Sequence, residues 1–174
     1  MNSYHSSILN RFETYKSLGE KTFNQLTFEE LQWQSHEDSN SITIIVKHMV
    51  GNMLSRWTNF LTEDGEKEWR HRDQEFEDSY TSKEDLIASW ESGWMCLFNA
   101  IKPLSINDLE QKIYIRNEEH SVIEAINRQL AHYAYHVGQI VFLGKLLKGE
   151  NWQSLSIPKG KSSEFNTEKF KEGK

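Results

Sequence analysis

Cysteine and proline are scarce in this 174-residue chain, with one of the first and two of the second. The single Cys96 excludes an intrachain disulfide, so the fold does not depend on an oxidising compartment. Pro103 and Pro158 leave long stretches uninterrupted, and both stand where helical patterns stop. No apolar run approaches the length of a membrane span. Met1 is followed by Asn-Ser-Tyr-His rather than by a basic start and an apolar signal core. An excess of positive charge is missing too, since 20 Lys and Arg face 26 Asp and Glu for a formal net charge of -6. A nucleic-acid surface needs a basic face to replace phosphate counterions, so neither nucleic acid nor membrane is an expected partner. The expectation is a soluble, cytoplasmic protein.

Large rings are plentiful. The hydrophobic content is only 37%, but six Trp, six Tyr and nine Phe argue against disorder, which needs low hydrophobicity with few aromatics. The core is expected to be built on big side chains rather than on many small aliphatic ones. A chain of this length suits one domain over 1–174, with about 150–174 as a polar, Lys-rich tail.

Periodicity divides the rest. Ile8, Phe12, Tyr15, Gly19, Thr22 and Leu26 recur at three- and four-residue steps and predict a helix over about 4–26. Ser and Asn residues at the end of a linker around 35–40 suit an N-cap for a second helix over about 41–61. The charged stretch 65–81 still holds Trp69, Phe76 and Tyr80 and reads as an ordered connection. Ser82 with Asp85 opens a third helix, in which Ile87, Trp90, Trp94, Leu97 and Ile101 form the buried stripe. Alternation in 111–120 suggests a short strand or hairpin. A fourth helix runs over about 121–148 and stops at Lys145, Lys148 and Gly149. Four amphipathic helices with one long connection between the second and third indicate an all-α protein, a four-helix bundle.

Two histidines sit one turn apart in the fourth helix, within Gln129-Leu-Ala-His-Tyr-Ala-Tyr-His-Val-Gly-Gln139. Positions i and i+4 have Cβ atoms about 5–6 Å apart and lean the same way, so His132 and His136 can reach one metal ion. They border the apolar arc of Ile126, Leu130, Tyr133, Val137 and Ile140, with Gln129 and Gln139 on the same strip. Tyr135 and Phe142 lie on the far side, an apolar face that another element or a second subunit could cover. A third ligand must come from elsewhere, and His48 in Ile44-Ile-Val-Lys-His-Met-Val50 is the candidate. Its side of the second helix also carries Asn52, Ser55 and Asn59, as a solvated face would, whereas the run 42–50 is apolar on nearly every side. Periodicity admits His48 as a ligand without requiring it. An i,i+4 pair is also what ordinary structural histidines produce by chance. His5, His36, His71 and His120 have no helical partner and read as surface or loop residues.

Other chemistry is excluded by spacing. His-Tyr-Ala-Tyr-His lacks the Glu of His-Glu-x-x-His metalloproteases, so no general base is built into the motif. No Glu-x-x-His pair marks a di-iron bundle, and there is no glycine-rich phosphate loop or Gly-x-Ser-x-Gly elbow. Cys96, inside Trp94-Met-Cys-Leu-Phe98, reads as a packing residue rather than a nucleophile.

The chain resembles the DinB/YfiT-like superfamily of bacterial four-helix proteins, and within it a subfamily of unassigned function. His48 together with His132-x-x-x-His136 is similar to the superfamily's three-histidine metal pattern. Trp69-Arg-His-Arg-Asp-Gln-Glu-Phe76, Ile113-Tyr-Ile-Arg-Asn-Glu-Glu-His-Ser-Val122, His136-Val-Gly-Gln139 and the stretch from Ser154 to Asn166 extend the likeness over most of the chain. The resemblance implies a divalent ion, nickel or zinc, held by His48, His132 and His136 with positions open to water or substrate. It also implies a homodimer and chemistry on small molecules. The reaction it implies is S-transfer from a low-molecular-weight thiol, with hydrolysis by a metal-activated water next. A non-catalytic metal-binding stress-response protein is the alternative from another class. No catalytic acid or base can be placed from the sequence.

Overall fold

The computed structural model describes residues 3–171 and is mostly helical. Its elements are α1 (Ser3–Phe23), α2 (Phe28–Leu31), α3 (Ile42–Trp57), α4 (Lys83–Ile101), β1 (Lys112–Ile115), β2 (Glu118–Ser121), α5 (Val122–Lys148) and α6 (Ser162–Lys171). Single 3-10 turns lie at Arg72–Phe76, Ile106–Glu110 and Gly149–Asn151. Serine caps start three of the long helices by satisfying an otherwise orphaned backbone donor. Ser41 Oγ accepts from the Ile44 N–H at 3.2 Å and Ser82 Oγ from the Asp85 N–H at 3.1 Å. Ser121 and Glu124 form a reciprocal capping box at the head of α5. Gly149, with φ of 52°, stops α5 in a conformation that L side chains rarely adopt.

The four long helices pack pairwise, α3 on α4 and α1 on α5, with α3 also meeting α5 and α1 meeting α4. Their shared core is aromatic, as the composition predicts: Phe12, Trp90, Trp94 and Tyr133 are completely buried. The Phe12 ring lies 6.2 Å from that of Trp94 and 6.0 Å from that of Tyr133. Gly19 lets α1 approach α4, for a Cβ there would meet Trp90 Cζ2 at 2.5 Å. Beside this core a polar tie joins α3 to α5. Trp57 Nε1 donates to the Tyr133 hydroxyl at 3.1 Å, which donates to Asn52 Oδ1 at 3.0 Å.

Two helices are shorter than their periodicity. α1 ends at Phe23 although Leu26 is buried, because a tight turn carries Leu26 into the same core before α2 begins. α3 ends at Trp57, and Asn59, with φ of 50°, breaks the helix while Phe60 still packs inside. Apolar spacing thus outlasts the hydrogen-bond ladder. The tail carries α6, which buries no residue.

Residues 111–120 do form a hairpin. β1 and β2 pair antiparallel, with Ile113 opposite His120 and Ile115 opposite Glu118. Arg116 and Asn117, at φ of 55° and 61°, make the two-residue turn whose twist suits a hairpin. Asp64, just beyond α3, anchors that turn by accepting from the Arg116 N–H at 2.8 Å and the Asn117 N–H at 2.7 Å. Burial pushes the Asp64 carboxyl up, but these backbone donors and that of Glu66 outweigh it and hold the group below its usual range. Among the described residues no helix is long and apolar enough to cross a membrane.

Candidate metal centre

His48 on α3 and His132 and His136 on α5 come together at the α3–α5 contact, with ligand atoms all within 4.8 Å of one another. His132 Nε2 stands 3.3 Å from His48 Nε2 and 3.0 Å from His136 Nε2. Nitrogens about 2.0–2.1 Å from one zinc-sized ion stand roughly 2.9 Å apart at right angles and about 3.4 Å apart at tetrahedral angles. Both separations match that spacing. The three histidines are close enough to hold a metal ion.

The other ring nitrogen of each histidine is engaged. His48 Nδ1 lies 2.9 Å from Glu75 Oε2, His136 Nδ1 lies 2.8 Å from Gln139 Oε1, and His132 Nδ1 lies 3.3 Å from Gln129 Oε1. All three partners are acceptors, so in a neutral ring the single proton belongs on Nδ1 and the lone pair on Nε2. Three lone pairs then converge, and none carries a proton to share with its neighbours. A cation is what such a cluster suits, and partners of this kind orient metal-binding imidazoles.

Glu75 is the residue of this cluster that periodicity misses. It is buried, lies in the 3-10 turn Arg72–Phe76, and accepts from Arg70 through Nε at 2.7 Å and Nη2 at 2.9 Å. Its burial alone would raise the carboxyl pKa, yet hydrogen bonds from His48 and Arg70 and the Arg70 charge hold it below the ordinary value. Gly51 on α3 makes room for it, since a Cβ there would run into the Glu75 carboxylate. The next residue, Phe76, stacks on the His48 imidazole at 5.2 Å between centroids. Hence the connection over 65–81, read only as ordered, closes the side of α3 that looked solvated. His48, Asn52 and Ser55 are all buried, and Ser55 Oγ donates to the Gly65 carbonyl at 2.8 Å.

Burial, followed by the neighbouring His136 and His48, pushes the His132 pKa down to about 3. Burial also lowers that of His136, against the hydrogen bond to Gln139. Both rings are therefore neutral and ready to ligate at neutral pH. The unfolded chain takes up the His132 proton near the ordinary value of about 6.5 while the folded chain resists it. Between about pH 6.5 and 3 the unfolded state binds more protons, so acid favours unfolding. The metal-free protein is expected to lose Tm steadily across that window. His132→Asn is expected to flatten the loss, and an unchanged slope in a pH series of melting curves would remove His132 as its source.

The remaining histidines divide. His36 and His71 are exposed, as expected. His5 is not a surface residue: it lies in α1, 4% exposed, with Nε2 2.9 Å from the Ile101 carbonyl at the end of α4. The apolar stripe of α1 gave no hint of it because a single polar side chain leaves no period. His120 is half-buried in β2 rather than in a loop, with Nε2 4.0 Å from Glu118 Oε2. Cys96 is half-buried, with Sγ 3.7 Å from Thr58 Oγ1.

A family model described as "Protein of unknown function (DUF1572)" matches residues 1–161. No curated protein and no solved structure matches the chain.

Proposed function

The chain belongs to the DUF1572 family, and we propose that it is a divalent-metal-dependent enzyme acting on small molecules, with thiol S-transfer as its reaction. The observation that carries this reading is the convergence of three Nε2 lone pairs, each ring oriented by an oxygen acceptor on Nδ1. Among the described residues no fourth His, Cys, Asp or Glu joins the cluster. Three protein ligands with an open position characterise catalytic rather than structural zinc sites. Nickel or zinc suits three imidazoles, and a DinB/YfiT-like four-helix bundle suits the packing of α1, α3, α4 and α5.

A divalent ion bound there would lower the pKa of a thiol or water that joins it, yielding a nucleophile at neutral pH. The chain's own part is to hold three neutral donors in place. Glu75 and the two glutamines fix the ring orientations, and Phe76 covers one face of His48. No donor carries charge, so a thiolate entering the site meets the ion's full positive charge. The apolar far side of α5, with Tyr135 62% and Phe142 67% exposed, suits the homodimer of this reading.

The test is conjugation of a low-molecular-weight thiol to a chromogenic aryl halide by the purified protein. Turnover is expected with nickel or zinc, to vanish on chelation and to return when the ion is restored. Metal-loaded protein that leaves the rate at background overturns thiol transfer, and ester hydrolysis under the same conditions would favour an activated water instead.

A further inference from the structure

The cavity that opens on His48 and His132 is lined by five arginines, Arg56, Arg70, Arg72, Arg116 and Arg128, within about 260 Å³. Its other lining residues, Asn52 and Gln129, are also polar. Three larger cavities, of about 580, 510 and 430 Å³, touch none of the three histidines. For a chain of net charge -6 this is a local reversal of sign.

The acidic partners do not neutralise it. Glu75 is taken by Arg70. Glu66 is shared, at 3.3 Å from Arg56, 3.6 Å from Arg70 and 3.1 Å from Arg116. Arg72 lies over the Phe76 ring at 5.3 Å and Arg128 is exposed, and neither has a carboxylate within ion-pair distance among the described residues. Two carboxylates therefore pair among the five guanidiniums, while Asp64, which feels the Arg56 charge, is taken up by the backbone donors of the hairpin turn. A divalent ion on three uncharged imidazoles adds two further positive charges to the same space. Like charges this close oppose one another unless an anion enters, and planar guanidiniums match the paired oxygens of carboxylate and phosphate.

We propose that this cavity binds the oxyanion group, carboxylate or phosphate, of a small substrate, held by Arg72, Arg116 and Arg128 beside the metal position. The proposal rests on the metal reading for what happens at the far end of the substrate. Arg56 and Arg70, side chains 6% and 3% exposed, supply fixed charge behind it. The volume suits a metabolite-sized acid or the acidic end of a larger molecule.

Titration calorimetry on the full chain, metal-free and zinc-loaded, separates the two readings. The probes are succinate, inorganic phosphate and the neutral succinamide. One or both anions are expected to bind, salt-sensitively, and succinamide is not. Which anion binds tells carboxylate from phosphate. Arg128→Gln and Arg72→Gln are each expected to weaken the anion about tenfold, the worth of one charge-assisted hydrogen bond. Both side chains are exposed, so Tm and zinc stoichiometry should hold. Succinamide binding as tightly as succinate, variants that bind like the parent, or binding of neither anion overturns the proposal. Arginine-dependent anion binding by a protein that takes up no zinc supports it while sinking the metal reading alone.

Discussion

Replacing His132 with alanine is expected to abolish stoichiometric metal while leaving the protein folded. His132 Nε2 stands close to both other donors, at 3.3 and 3.0 Å. Without it only His48 and His136 remain, with ring centroids 5.0 Å apart, and two imidazoles hold a divalent ion far less tightly than three. The folded chain itself gives up little. The ring is neutral at neutral pH, half-buried, and its one oxygen partner stands at 3.3 Å. Losing one of three facing lone pairs even relieves crowding in the metal-free protein. The two effects therefore differ in sign: the metal-free Tm of His132→Ala should match or exceed the parent's. A binding ion stabilises the parent by about 2.7 kcal/mol at a hundredfold excess over Kd, and that rise in Tm should vanish in the variant. Elemental analysis together with melting curves reads both. One ion per chain retained in His132→Ala would sink the site.

The second large effect belongs to Glu75. Glu75→Gln keeps the side chain's shape and removes its charge. The His48 ring then loses the carboxylate that orients it, and metal affinity is expected to fall about 10–100-fold. Arg70 meanwhile keeps a buried charge, 3% exposed, with only Glu66 at 3.6 Å as its remaining carboxylate. Breaking one side of a buried pair costs about 3–5 kcal/mol, which for a chain of this size means a Tm fall on the order of 10 °C. A second variant separates the two losses. Replacing the pair together, Glu75→Leu with Arg70→Met, removes the unpaired charge and is expected to recover most of the stability, but not the metal affinity. If the double variant binds metal like the parent, Glu75 serves the fold alone. Gly51→Ala offers an independent check. Alanine suits a helix better than glycine, yet here its methyl would push the Glu75 carboxylate from His48, so affinity should fall without removal of any polar group.

Within α5 the site was legible because everything needed lies in three turns of one helix. His132, His136, Gln129 and Gln139 share a strip set by 3.6-residue periodicity, and the two glutamines reach their histidines across three residues of sequence. Periodicity admitted His48 as the third ligand, but only the resemblance selected it. By its own neighbours, Asn52 and Ser55, its side of α3 reads as solvated, and the cover comes from a connection whose course no period announces. Glu75 stands 27 residues from His48 amid alternating charges, where nothing distinguishes it from Asp73 or Glu77. The arginines of the cavity arrive from α3, the 65–81 connection, the hairpin turn and α5, so no local window holds more than two of them.

What the sequence alone determined is what hydrogen bonds and spacing decide within a few turns: the serine-capped helix starts, the glycine stop, the aromatic stripes and the His132–His136 pair. Tertiary structure decided the third histidine's burial, the carboxylate behind it and the positive cavity in front. Those depend on one excursion of chain folding over α3 and on Asp64 pinning the hairpin beside it. Contacts between segments so far apart are selected by fit and charge in three dimensions, and they leave no period along the chain.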